Sequence, residues 1–257
     1  MIDLLVVGGG PAGLVTGLHA ARAGLDVVVA DRRQGPIDKA CGEGLMPHTV
    51  AQLEKLGIPL RGRPFHGITY LDETRRVDAG FRAGAGMGVR RTALHAALLE
   101  AAAATGVRLV HNDIGPVTQD GASVRCGEFR ARYLAAADGL HSPIRRSLGL
   151  ARPSRGVRRW GIRRHYATAP WSDRVQVYWA PGAEAYVTPV ADDCVGVAIL
   201  TSTQGGFDRH LNEFPVLAAH LAGQPHGPDR AAGPLRQPVS SRTADRVLLL
   251  VAGTPVA

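Results

Sequence analysis

Gly8, Gly10 and Gly13 stand at GxGxxG spacing in the run Gly8-Gly9-Gly10-Pro11-Ala12-Gly13, and Asp31 follows 23 positions after Gly8. This is the chemistry of anion and sugar binding. Gly8 permits a tight turn, Gly10 lets backbone approach a pyrophosphate, and Gly13 lets a helix lie close on a strand. Pro11 and Ala12 open that helix, whose free amides and positive dipole end attract phosphate. Asp31 accepts from ribose hydroxyls and disfavours a 2′-phosphate, which the adjacent Arg32 and Arg33 favour. The turn alone does not separate NAD, NADP and FAD, and glycine-rich turns are common.

The elements around the turn give it weight. Residues 2–7 form an apolar run ending in glycines, read as a buried parallel strand. Residues 13–23 predict a helix with Leu14, Leu18 and Ala21 on one stripe and Gly24 as its C-terminal cap. Residues 25–30 predict a second buried strand, which completes a mononucleotide-binding β-turn-α-β unit. Beyond it the sequence predicts a helix over 46–57, a strand pair within 66–82, a helix over 92–104 capped by Thr92, a strand over 107–113, and a strand at about 130–137 that runs into Asp138-Gly139. Residues 157–200 alternate β-branched and aromatic positions, which predicts several antiparallel strands. A helix over 207–222, a Pro/Gly-rich loop and an apolar strand returning to the first sheet complete the reading. The expected fold class is α/β: a Rossmann-like cofactor domain with an interleaved, mainly antiparallel β-sheet substrate domain. The expected boundaries are 1–151 for the cofactor domain (with 66–82 a candidate contributor to the other), 152–242 for the substrate domain, and 243–257 for the return strand.

A chain of 257 residues with 45% hydrophobic content can bury a sizeable core. Its net charge of +8 suits anionic ligands. Nucleic acid is disfavoured as a partner, because aromatic residues are only 5% and no recognition motif occurs. Cys41, Cys126 and Cys194 are odd in number and form no CxxC, which argues against a disulfide framework or a zinc site and for a reducing, cytoplasmic setting. No signal peptide or stretch of about 18 apolar residues is visible; peripheral membrane contact stays open.

Three further segments make the reading specific. Ala137-Asp138-Gly139-Leu140-His141-Ser142-Pro143-Ile144-Arg145 fits the signature ADGxxSxxR, Arg91-Thr92-Ala93-Leu94 fits RxxL, and Cys41-Gly42-Glu43-Gly44-Leu45 has the form CGEGL. With the turn, they resemble the FAD-dependent monooxygenase family of aromatic-hydroxylase type and its geranylgeranyl-reductase-like relatives, over nearly the whole chain. The resemblance implies FAD as cofactor and NAD(P)H as electron donor. It places Asp138 and Gly139 near the pyrophosphate and ribityl region, gives Arg91 (with Arg90 as a rival) a reach to FAD, and sets Cys41, Gly42, Glu43 and Gly44 beside the flavin. Cys41 is read as a packing residue rather than a catalytic thiol. Ile114 is expected to offer backbone to adenine. In the second sheet, His165, Tyr166, Trp179, Tyr186 and Pro189 are the candidate substrate-pocket residues, and no catalytic side chain is singled out.

The implied activity is that of an FAD-dependent oxidoreductase on an apolar or aromatic small molecule. One branch inserts an oxygen atom; the other passes hydride to an alkene. The chain departs from the family's pattern at its end. The family's last strand runs into Gly-Asp-Ala and a helix, whereas here it runs into Gly253-Thr254-Pro255-Val256-Ala257. Deleting one base from codons for Gly-Asp-Ala-Gly-Gly yields those five residues. A truncated, catalytically inactive fragment that holds FAD weakly is therefore one alternative, and an NAD(P)-dependent dehydrogenase another, although the Asp138-Gly139 signature argues against the latter.

Overall fold

The computed structural model describes residues 1–113, 115–151, 157–221, 224–235 and 242–249. In chain order the elements are β1 (Ile2–Val7), α1 (Pro11–Arg22), β2 (Val27–Asp31), β3 (Gly44–Leu45), α2 (Pro47–Lys55), β4 (Arg63–Phe65), β5 (Gly67–Leu71), β6 (Arg76–Gly80), β7 (Gly86–Gly88) and α3 (Arg91–Ala104). They continue with β8 (Arg108–His111), β9 (Val117–Gln119), β10 (Val124–Cys126), β11 (Phe129–Ala136), α4 (Pro143–Ser147), β12 (Arg159–Ala167), β13 (Val175–Ala180), β14 (Ala183–Ala191) and β15 (Cys194–Thr201). The last are α5 (Phe207–Leu211), α6 (Pro215–His220), β16 (Gln224–Leu235), β17 (Arg242–Ala244) and β18 (Val247–Leu249). The fold is mixed α/β, as expected.

Two compact units result. The first comprises Met1–Ile37, His95–Arg155 and Gln237–Ala257; the second comprises Asp38–Leu94 and Gly156–Arg236. The expected boundaries gave 38–94, apart from 66–82, to the cofactor domain. By compactness that whole stretch groups with 156–236, because β5 pairs in parallel with β13 and β6 pairs with β5.

In the first unit the sheet runs β17-β18-β11-β1-β2-β8, with β10 and β9 hairpinned off β11. β18, β11, β1, β2 and β8 are mutually parallel, and β1 is flanked by β2 on one side and β11 on the other. Strands buried on both faces have near-continuous apolar sequences; Leu5, Val28, Ala30, Leu134 and Ala136 belong to one core cluster here. The loops after β1 and β11 and the end of β2 thus lie at the carboxyl ends of neighbouring parallel strands, where open α/β sheets bind ligands.

In the second unit a seven-stranded sheet runs β16-β12-β15-β14-β13-β5-β6, accompanied by a small sheet β3-β7-β4. One face of the large sheet packs Ile162, Tyr166, Tyr178, Val187, Val197 and Ile199 against Phe207, Phe214 and Leu217 of the α5–α6 segment. The expected single helix over 207–222 is two short helices, because Pro215 cannot donate to a continuous ladder and instead opens α6 at its first turn. The expected loop after it contains β16. Its prolines are tolerated since, among the described residues, β16 pairs only with β12 and forms the sheet edge. Among the described residues no helix is long and apolar enough to cross a membrane.

Candidate functional site

The turn after β1 is built around its glycines. Gly8 has φ +107°, and a Cβ there would overlap the carbonyl oxygen of Ala137; one on Gly13 would overlap the carbonyl of Gly8. Both glycines are therefore fixed by the protein's own packing. Gly10 is different: a Cβ there would meet nothing within 4 Å. Its backbone faces open space at the N-cap of α1, with Pro11 at the first helical position.

Asp31 closes the other side of the turn. Its Oδ2 accepts from the Gly9 amide at 2.9 Å, and its Oδ1 accepts from the Arg33 amide at 2.9 Å and from Arg33 Nε at 3.1 Å. Burial works to raise the Asp31 pKa, but the hydrogen bonds from Arg33 and Gly9 outweigh it and hold the carboxyl below its ordinary value. Arg33 is thus folded back onto Asp31 rather than offered to a 2′-phosphate, and Arg32 is exposed. Beside them lies a cleft of about 210 Å³ lined by Gly9, Asp31, Arg33, Ile37, His95, Leu109 and His111. It is smaller than a whole drug-sized site and suits one nucleoside end of a larger ligand.

His95 was not expected in this role. Its Nδ1 accepts from the Ile37 amide at 3.3 Å, so its proton lies on Nε2, which donates to the Gly9 carbonyl at 2.6 Å. A polar residue on the buried stripe of α3, between Leu94 and Leu98, was the signal available in the sequence.

Asp138 follows β11. Its Oδ2 accepts from the Ile144 amide at 3.3 Å, while Oδ1 is buried and has no hydrogen-bond partner among the described residues. Ser142 caps α4 by accepting from the Arg145 amide at 2.9 Å, and Arg145 Nη2 donates to the Leu140 carbonyl at 2.6 Å. Gly139 is exposed with φ +93°. Ile114 lies outside the described residues, as do 250–257, which carry the expected C-terminal departure.

In the second unit, Glu43 and His165 are brought together although 122 positions apart. His165 Nε2 lies 2.6 Å from Glu43 Oε2, and the Arg91 amide donates to Glu43 Oε1 at 2.7 Å. Helix α3 starts at Arg91, so the residue that caps it is Glu43 and not Thr92, which sits inside the first turn. Cys41 is half-buried, and burial lifts its thiol above the ordinary value, against a smaller opposing effect of the Glu43 amide; this suits packing, not a poised thiolate. Gly42 accepts from Thr188 Oγ1 at 2.7 Å, and Gly44 begins β3.

The candidate pocket residues divide by strand parity. His165 lies on the sheet face opposite the α5–α6 core. Tyr166 points into that core, with its ring centroid 6.1 Å from that of Phe207, and so leaves the pocket set. Tyr186 shares the His165 side and donates its hydroxyl to Glu184, which also accepts from Arg159 Nη2 at 2.5 Å. Trp179 is 48% exposed, and Pro189 is buried beside Gly88. Among the described residues no cluster of His, Cys, Asp and Glu could hold a metal ion.

Comparison with known proteins agrees with this geometry. The family model described as "FAD binding domain" matches residues 1–211. A menaquinone reductase of Mycobacterium tuberculosis is 34% identical over 197 residues, covering 66% of this chain and 46% of that protein. Digeranylgeranylglycerophospholipid reductase 1 of Methanothermobacter thermautotrophicus is 30% identical over 243 residues, covering 83% of this chain and 60% of that protein. The chain therefore spans about half the length of these curated relatives. Among solved structures, a flavoprotein/dehydrogenase from Cytophaga hutchinsonii superposes with a TM-score of 0.82 at 18% identity, covering 99% of this chain and 73% of that one. A p-nitrophenol 4-monooxygenase from Pseudomonas putida does so with a TM-score of 0.80 at 18% identity, covering 97% and 72%. With a family model covering most of its length and a glycine turn, an aspartate at the end of β2 and an Asp-Gly loop at adjacent strand ends, the chain belongs to the FAD-binding domain family of flavoprotein oxidoreductases and monooxygenases.

Proposed function

We propose that the chain forms the FAD-binding and substrate-facing portion of an oxidoreductase of the reductase-like branch, which saturates a carbon–carbon double bond in an apolar isoprenoid-type substrate. The observation that carries the cofactor part is Asp138 Oδ1, a buried acceptor left without a partner among the described residues, on the loop beside the Gly8 turn. A buried polar atom of this kind calls for a donor, and ribityl or ribose hydroxyls supply one. Gly10, open to solvent, is the approach point for pyrophosphate, and the cleft beside Asp31 takes the adenosine end. In the second unit, Cys41, Gly42, Glu43, Gly44 and Arg91 are assigned to the flavin, and His165, Trp179, Tyr186 and Pro189 to the substrate side.

When bound, FAD supplies the two-electron chemistry; this chain's residues bind it, orient it and keep water away. NAD(P)H is the proposed donor that recharges it. The reductase branch is favoured over oxygen insertion by the CGEGL form of residues 41–45 and by the similarity to a menaquinone reductase and a digeranylgeranylglycerophospholipid reductase. Two measurements test the reading. FAD titration of the wild type and Asp138→Asn should show binding weakened about tenfold, the worth of one charge-assisted hydrogen bond. Reduced, FAD-loaded protein incubated with an isoprenoid quinone should yield a product still heavier by two hydrogens in mass spectrometry after the quinol ring has been reoxidised in air, so that the gain lies in the isoprenoid chain. A product heavier by one oxygen would assign the chain to the other branch.

A further inference from the structure

Glu43 has φ 59°, a left-handed backbone that glutamate rarely adopts, and it is buried. Such strain persists only where the surroundings over-determine it, and here they do. The Val89 amide donates to the Glu43 carbonyl at 2.8 Å. The Glu43 amide donates to Cys41 Sγ at 3.4 Å. Thr188 Oγ1 donates to the Gly42 carbonyl at 2.7 Å. The carboxylate takes the Arg91 amide on one oxygen and His165 on the other. Residues 41–44 are thus tied to the start of α3, to β12 and to β14, yet a Cβ on Gly42 would meet nothing within 4 Å, so the outer side of the loop is uncovered.

The requirement for a carboxylate follows from donor counting. Arg163 has only donors, and its Nη1 lies 2.8 Å from His165 Nδ1, so Nδ1 accepts and the imidazole proton is on Nε2. His165 Nε2–H and the Arg91 N–H both point at Glu43. A carboxylate accepts both. An amide in its place must set its NH₂ against one of them. Arg163 is itself fixed by an ion pair with Asp38, whose other oxygen is 3.0 Å from Arg230 Nε on the edge strand β16.

We propose that Glu43 is a positioning residue that, together with Thr188, latches residues 41–44 into a preformed platform before any ligand arrives. What the platform serves, the flat flavin ring, rests on the flavoprotein reading; the latch itself does not. The test uses the full chain without FAD. Cys41 alkylation by iodoacetamide is followed by peptide mass spectrometry, with buried Cys126 and Cys194 as internal references. Glu43→Gln should speed Cys41 alkylation about tenfold, as expected when a local opening becomes easier, while the other two stay slow. Histidine ¹⁵N spectra should show one Nε2–H tautomer at His165 in the wild type and a mixture in Glu43→Gln. If Glu43→Gln unfolds, so that all three thiols react together, Thr188→Val decides in its place: it removes one bond to Gly42 and should speed Cys41 alone by a smaller factor. Unchanged Cys41 rates in a folded variant, or an Nδ1–H tautomer in the wild type, would overturn the proposal. A wild type that does not bind FAD would sink the assignment of this platform to a bound flavin and leave the latch comparison standing.

Discussion

His95 Nε2 donates to the carbonyl of Gly9 at 2.6 Å, bracing the dinucleotide turn from a helix 86 positions further along the chain. The same imidazole accepts from the Ile37 amide at 3.3 Å. Replacing it with leucine leaves two backbone groups without this partner, at about 1–3 kcal/mol for each one that stays buried and unmet. His95→Leu should therefore melt several degrees lower in calorimetry. His95→Gln, which restores a donor, should recover part of the loss.

Gly10 and Gly13 should part company under the same substitution. Gly13→Ala forces a Cβ onto the Gly8 carbonyl and should destabilise the ligand-free chain by about 1–3 kcal/mol, the range for overpacking. Gly10→Ala meets no protein atom and should leave ligand-free stability within about 0.5 kcal/mol of wild type. FAD binding should nevertheless weaken in Gly10→Ala. Paired thermal melts and FAD titrations check both, and equal FAD affinity of Gly10→Ala and wild type would falsify the assignment of Gly10 as the pyrophosphate approach.

Asp31 predicts a pH dependence of definite sign. Its folded-state pKa is depressed, because hydrogen bonds from Arg33 and Gly9 outweigh burial. The stabilisation is present above the unfolded carboxyl value of about 3.9 and is lost as pH falls through the lower folded value. In urea melts taken below about pH 4, Asp31→Asn should lose less stability on acidification than wild type does. Curves that stay parallel would mean the carboxylate is not held as described.

Burial also raises the thiols. Cys126 is pushed up to about 11, first by burial and then by the charge of Asp138, and Cys41 is raised in the same direction by burial. In the closed fold neither should act as a thiolate nucleophile near neutral pH. Cys41→Ser should therefore retain FAD binding and any turnover to within a few-fold, whereas a nucleophilic role would abolish turnover.

The parts of this molecule legible in the sequence are those whose signals are local. The apolar runs at 2–7 and 25–30, the glycine turn between them and the alternation over 157–200 each carry their own periodicity, and β1, β2 and β12–β15 lie where those patterns point. β16 was not legible, since Pro225, Pro228 and Pro234 mask a strand that survives only because it is an edge. The meeting of Glu43 with His165 had no sequence signal at all: it depends on two segments folding onto one another, and on which face of β12 His165 takes. Parity separated His165 from Tyr166, and a reading that named both could not choose between faces without the register against β15.

The parallel pairing of β5 with β13 sets a timetable for biosynthesis. Ile68 stands opposite Val175, so β5 leaves the ribosome well before its partner is made. At about 5–20 residues per second, a gap of roughly a hundred residues is a wait on the order of 5–20 s. During it the β5–β6 hairpin carries an unsatisfied edge exposed to other chains. Slowed translation across β12 should lengthen that exposure and lower the soluble yield, even though not one residue of the finished protein would differ.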